Sequence, residues 1–314
     1  MRYIFILNPN AGKKDSTEKI KKVITQAMQS TDADYSFRVT EYRGHAVSVS
    51  RHEASKGDTV RLFACGGDGT LNEVASGAAG YSNAQIGMIP CGSGNDYIKL
   101  FGNASQFCDI RAQIDGEAHA VDMIKANDFY SINICSIGFD ARVCHFQKSV
   151  KRIPLMTGKL SYFLALMRAL AGKLATPLRI TDCDSGKAYD EEFVFSLAAC
   201  GRVYGGGYIG APYAIPNDGL MDVTLFRKAS HAAALKLIDK YKKGLHNEIK
   251  DYIYSFRSKK IKIQADTILP INIDGEVEYA DSVTFESLPG AVNFIIPKGC
   301  VFGFSQSIPI LREA

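Results

Sequence analysis

The chain has 314 residues, more than one domain usually holds, so two domains are expected. Hydrophobic residues make up 46% and charged residues 22%, the balance of a soluble globular protein, and a net charge of +4 allows anionic ligands or an anionic membrane surface without demanding either. The eight Cys are scattered without a C-x-x-C pair, which excludes a zinc ribbon or dithiol redox motif and reads as buried free thiols in a reducing cytoplasm. The N-terminal run is too short for a signal peptide, and no apolar run reaches the roughly 18–20 residues of a bilayer span.

Residues 3–7 read as a buried strand, followed by a turn with Gly12, Lys13 and Lys14. Asp15 to Met28 carries Ile20, Val23, Ile24, Ala27 and Met28 at helical spacing. Tyr35 to Thr40 reads as a second strand and His45 to Ser55 as a weaker helix. Thr59 to Cys65 is an apolar strand, then come Gly66-Gly67-Asp68-Gly69-Thr70 and a helix to about Ala79. Ala84 to Pro90 is another strand, followed by Cys91-Gly92-Ser93-Gly94-Asn95-Asp96 and a helix with Tyr97, Ile98, Leu100 and Phe101. Three strand–glycine turn–helix units predict a parallel sheet covered on both faces, with ligands at the carboxyl ends of the strands. Such turns expose N–H groups at helix N-termini and suit phosphate, with Lys13 or Lys14 to meet charge. Asp68 would repel a bare phosphate and makes sense if Mg²⁺ lies between them. A plain tight turn, where Gly and Asp are common, is the bland reading of each.

Composition shifts near Asn127. Strand-like runs follow at 129–137, 177–183, 191–200, 221–226, 261–265, 270–273 and 283–285, interrupted by helical stretches at about 158–171 and 230–243. The expected fold is an α/β N-terminal domain with a parallel sheet over 1–126 and a mostly antiparallel β-sandwich over 127–290. Leu160, Phe163, Leu164, Leu166, Met167 and Leu170 form a broad apolar helix surface, for core packing or a lipid chain. The basic clusters 240–243 and 257–260 are solvated faces or contacts for anionic headgroups. Asp218 and Asp222 lie in a turn entering a strand, either a plain Asn-Asp-Gly turn or oxygen ligands for Mg²⁺ or Ca²⁺.

Asn8-Pro9-Asn10-Ala11-Gly12-Lys13, Gly66 to Glu73, Gly92-Ser93-Gly94-Asn95-Asp96, Pro216 to Asp222 and Ile273-Asp274-Gly275-Glu276 together resemble the diacylglycerol kinase catalytic-domain family. That family includes soluble bacterial lipid kinases and the sphingosine and ceramide kinases. Gly-Gly-Asp-Gly-Thr alone is shared with NAD kinases. The resemblance runs over nearly the whole chain, implies that about 291–314 return to the N-terminal domain, 1–126 plus about 291–314, and implies an ATP site. Asn8, Gly12 and Lys13 would lie in its first loop, and Thr40 at the end of the second strand. Gly66, Gly67, Asp68, Gly69, Thr70, Leu71 and Asn72 would hold the phosphates, and Ser93 would offer a hydroxyl. It further implies Mg²⁺ held by Asp218 with the carbonyls of Ile215 and Leu220. Asp274 is implied as general base, Glu276 is the runner-up, and Asp68 is read as the link between phosphates and metal. Asp140 is a further carboxylate for the same site. The expected activity is transfer of the ATP γ-phosphate to a lipid hydroxyl, first of all diacylglycerol, by a cytoplasmic enzyme that meets its substrate at the membrane surface. Similar bacterial kinases suggest a homodimer. The rival readings are an NAD kinase and a catalytically silent nucleotide- or lipid-binding regulator.

Overall fold

The computed structural model describes residues 1–12, 15–29, 31, 33–92, 94–102, 104–150 and 158–303. Lys13 and Ser93 lie outside the described residues. Over the described residues the chain divides into two units, Met1–Met123 with the segment from Pro289 onward, and Ile124–Leu288.

The first unit is built on β1 (Arg2–Leu7), β2 (Asp34–Val39), β3 (Val60–Gly66) and β4 (Ala84–Pro90), all parallel in the order β2-β1-β3-β4. Residues Asn293 and Phe294, near the C-terminal end, add a further parallel strand beside β4. β3 is buried along its whole length and β1 nearly so, the pattern of strands covered on both faces. The helices α1 (Thr17–Met28), α2 (His45–Ala54) and α3 (Asp68–Ala78) connect them. Tyr3, Phe5 and Phe63 stack in the core with Ile24, Met28 and Ile295. The Arg61 guanidinium is buried there and donates to the carbonyls of Ile114 and Gly116 and to Gln85 Oε1, so no polar end is left dry. The helix expected after Asp96 is a single 3₁₀ turn, Tyr97–Leu100. Asn95 before it and Gly102 after it both have positive φ, which keeps a longer helix from forming. Two short helices follow, α4 (Ala104–Phe107) and α5 (Ile110–Ile114), before β5 (Glu117–Ala126).

The second unit is antiparallel. Its strands are β6 (Phe129–Ser131), β7 (Ile134–Gly138), β8 (Thr176–Asp182), β9 (Ala188–Ala199), the short pair β10 (Val203–Tyr204) and β11 (Tyr208–Ile209), β12 (Met221–Arg227), β13 (Ile253–Ser258), β14 (Lys260–Ile273) and the part of β15 (Glu276–Ile296) before Pro289, the rest of β15 being the first unit's further parallel strand. β9 pairs with β12 along one edge and with β7 and β8 along the other, and β14 pairs with β7, β8 and β15. The helices α6 (Phe139–Val150), α7 (Gly158–Leu170) and α8 (His231–Lys242) and a 3₁₀ stretch, His246–Tyr252, also belong to the unit. The α/β-plus-antiparallel fold thus matches the expectation. Two details differ. The run at 129–137 is not one strand, because the chain breaks at Ile132-Asn133 where the Asp274 carboxylate takes its amides. The helix α6, hidden in a stretch of mixed polarity, packs Val143 against Ala165 and Ala169 of α7.

Candidate functional site

In the first unit the three glycine turns converge. Asn8 Nδ2 donates to Thr70 Oγ1 at 2.9 Å, joining the loop after β1 to the start of α3. Gly12 has φ +85°, and a Cβ there would lie 2.8 Å from the Cys91 carbonyl, so only glycine suits this approach of the first loop to the third. The turns after β3 and β4 touch in the same way, since a Cβ on Gly92 would lie 2.5 Å from the Gly67 Cα. Thr40 is buried, and its N–H donates to the Leu7 carbonyl at 2.8 Å, which brings the end of β2 alongside. All of these residues sit at the carboxyl ends of parallel strands.

The glycines of the central turn serve different ends. A Cβ on Gly66 would strike the Thr70 side chain at 2.3 Å, and Gly67 is confined by Gly92, whereas Gly69 faces open space. Gly69 therefore leaves the start of α3 bare, where N–H groups and the helix dipole favour an anion. Thr70, Leu71 and Asn72 are buried in the same first turns.

Asp68 opens α3. Its Oδ1 accepts the N–H groups of Asp96 (2.7 Å) and Tyr97 (3.3 Å), so the carboxylate ties the third loop to the second. Burial, with Asp96 nearby, raises its pKa above the ordinary carboxylate value. Asn95, beside it, keeps a buried Oδ1 without a hydrogen-bond partner, while its Nδ2 donates to the Gly92 carbonyl. Glu73, at the end of the Gly66 to Glu73 motif, has a structural task. Its carboxylate accepts the N–H groups of Gly44 (2.9 Å) and Ala46 (3.2 Å), capping α2 and fixing the loop after Thr40. Only the fold could reveal that pairing, 29 residues apart.

In the second unit, Asp274 and Gly275 form a two-residue hairpin turn between Ile273 and Glu276. Both have positive φ, +49° and +85°, as a type I′ turn requires. The Asp274 carboxylate accepts the N–H groups of Ile132 (2.8 Å), Asn133 (3.3 Å) and Ile134 (2.8 Å). Desolvation outweighs these bonds and pushes its pKa up to about 6. Asn272 links this turn to a second carboxylate: its Oδ1 accepts the Gly275 N–H, and its Nδ2 donates to Ser136 Oγ, which in turn donates to Asp140. Burial raises the Asp140 pKa as well. Glu276 is half-buried on β15.

Asp218 lies in the turn before β12. Its Oδ1 accepts the Leu220 N–H at 3.1 Å, and its Oδ2 pairs with Arg257 Nη1 at 3.1 Å. Among the described residues no three His, Cys, Asp or Glu side chains cluster as a metal site. A divalent ion on Asp218 with the carbonyls of Ile215 and Leu220 would have to share the carboxylate with a guanidinium already bound to it. In this geometry the donor set does not match Mg²⁺.

Residues 2–126 match the family described as diacylglycerol kinase catalytic domain, and residues 133–296 that described as YegS C-terminal NAD kinase beta sandwich-like domain. The diacylglycerol kinase of Bacillus subtilis (strain 168) is 27% identical over 296 residues, 93% of this chain and 95% of the relative. A YegS-like lipid kinase of Shewanella frigidimarina (strain NCIMB 400) is 28% identical over 79% of this chain and 80% of its own. Two solved structures from Bacillus anthracis str. Sterne, both named for diacylglycerol kinase, superpose with TM-scores of 0.76 and 0.68 at 24% and 21% identity. Each alignment spans 95% of this chain and 97% of theirs, which speaks for the fold.

Proposed function

Since the chain belongs to the diacylglycerol kinase catalytic-domain family, we propose that it is an ATP-dependent lipid kinase that phosphorylates a lipid hydroxyl, with diacylglycerol giving phosphatidic acid as the leading reaction. The observation that carries this reading is the convergence of the loops after β1, β3 and β4 around the bare start of α3. Phosphoryl transfer needs positioning and charge stabilisation more than covalent help from the protein, and that loop cluster is suited to hold a triphosphate. Gly69 and the first N–H groups of α3 would face the phosphates, and Asp68 would hold the third loop in register. Lys13 and Ser93 remain proposed nucleotide contacts. Mg²⁺ enters this reading only as the ion that accompanies ATP.

Asp274 is the proposed general base. A carboxylate with a pKa near 6 is a better proton acceptor than one near 4 and is still ionised at neutral pH. The three amides that hold it fix its orientation. Glu276 is the second candidate.

The substrate would be met at a membrane surface, and α7 is the proposed contact. Leu160, Phe163, Leu164 and Met167 are all exposed and recur at i, i+3, i+4 and i+7, one stripe of the helix, while Ala165 and Ala169 are buried against α6. Between Asp140 and Asp182 the sequence has eight Lys and Arg and no Asp or Glu. The other 29 Lys and Arg against 33 Asp and Glu leave the rest of the chain at −4. An apolar stripe in a basic stretch suits an anionic bilayer. Among the described residues no helix is long and apolar enough to cross a membrane.

Incubation with labelled ATP, a panel of lipids in vesicles, and NAD tests the function. Label in a lipid supports it. Label in NAD alone would turn the reading to an NAD kinase, and label in nothing would overturn it.

A further inference from the structure

The turn at residues 213–222 of the second unit holds two carboxylates and two guanidiniums. Arg257 stands directly opposite Asp222 in the β12–β13 ladder. Its guanidinium donates to two acceptors, Nη1 to Asp218 Oδ2 at 3.1 Å and Nη2 to the Tyr213 carbonyl at 2.8 Å, and Nε forms an ion pair with Asp222 Oδ2 at 3.4 Å that leaves this buried oxygen without a hydrogen bond. Arg202 Nε donates to the next carbonyl, Ala214, at 2.8 Å. The cluster is therefore neutral, and the backbone leading into Ile215 is already bonded by side chains. Asp218 uses its other oxygen to close its own turn on the Leu220 N–H.

We infer that Arg257 is the resident cation of this turn: it holds the Asp218 loop in shape and keeps divalent ions off it, so that removing the guanidinium opens a divalent-cation site at Asp218. The chemistry follows from what each cation needs. The planar guanidinium bonds one carboxylate and a carbonyl at once and balances the charge of the second carboxylate. Mg²⁺ demands near-octahedral oxygens at about 2.1 Å and most of its own water, and it would stand against a positive charge. A turn closed by arginine keeps its shape whatever the free ion concentration. The same oxygens without the arginine carry net negative charge and are open.

The test uses the full chain without nucleotide or lipid, so its outcome is independent of the kinase reading. Mn²⁺ binding is followed by electron paramagnetic resonance, and Tm is measured with and without Mg²⁺. Arg257→Gln is expected to bind Mn²⁺ at least tenfold more tightly than wild type, to lose that gain when combined with Asp218→Asn, and to be stabilised by Mg²⁺ where wild type is not. Equal Mn²⁺ affinity in wild type and Arg257→Gln, or a gain that survives Asp218→Asn, overturns the proposal. If Arg257→Gln does not fold, wild type and Asp218→Asn decide: equal Mn²⁺ binding supports the resident arginine, and binding lost with Asp218 overturns it.

Discussion

Replacing Asp274 by Asn separates its two roles. As an anchor, the carboxylate meets three amides of the 132–134 segment, all in buried residues. As a buried charge it is costly. A folded-state pKa of about 6 against the ordinary 3.8 means that ionised Asp274 disfavours the native state by about 3 kcal/mol at pH 7. Asn removes that penalty and keeps one acceptor oxygen. It gives up one or two amide bonds, each worth about 1–3 kcal/mol when the donor is left dry. The two effects nearly cancel, so Asp274→Asn is expected within about 2 kcal/mol of wild type by urea unfolding. Ala loses every acceptor and is expected to fall by about 2–4 kcal/mol. Activity should part company with stability. Loss of a general base costs about 10²–10⁴ in rate, so folded Asp274→Asn should show that fall in kcat with little change in KM for ATP. A kcat within threefold of wild type in a folded Asn variant would refute the base assignment and leave Asp274 as an anchor, with Glu276 next for the same substitution.

Asp222 offers a pH test. Its burial raises the pKa to about 6, partly countered by Arg257. An acid with a raised folded pKa contributes stability that is full below its unfolded value and lost as pH climbs through the folded value. Wild type should therefore gain on Asp222→Asn by up to about 3 kcal/mol between pH 7 and pH 4, read by unfolding at each pH; a flat difference would disprove the shift. Gly12→Ala should lower ATP affinity and stability together, by about 1–3 kcal/mol of stability, since the new Cβ meets the Cys91 carbonyl at positive φ. Asp68→Ala should abolish turnover while the chain stays folded, checked by circular dichroism and labelled ATP. Near-normal activity would reduce that turn to a structural feature. Phe163→Glu and Met167→Glu on α7 are exposed substitutions. They should leave Tm within a few degrees yet reduce sedimentation with anionic vesicles about tenfold, and unchanged sedimentation would remove α7 as the contact.

The parallel sheet was legible because β1, β3 and β4 are unbroken apolar runs ending in glycine turns, and local sequence determines both features. The hairpin at Asp274-Gly275 was also local, since these two residues tolerate the positive φ of a type I′ turn. Sequence could not assign the glycines their separate tasks. Whether Gly66 makes room for Thr70 or Gly69 for a ligand depends on where the neighbouring side chains turn. Nor could it find the pairs Glu73–Gly44, Asp274–Ile134 and Asp218–Arg257, which lie 29, 140 and 39 residues apart. A carboxylate reads the same in any turn until its partners are known. Local propensity thus set the strands, turns and glycines of this protein. Tertiary structure alone decided which acids meet amides and which meets a guanidinium, because charge and hydrogen bonding are settled by the groups the fold brings within about 3 Å.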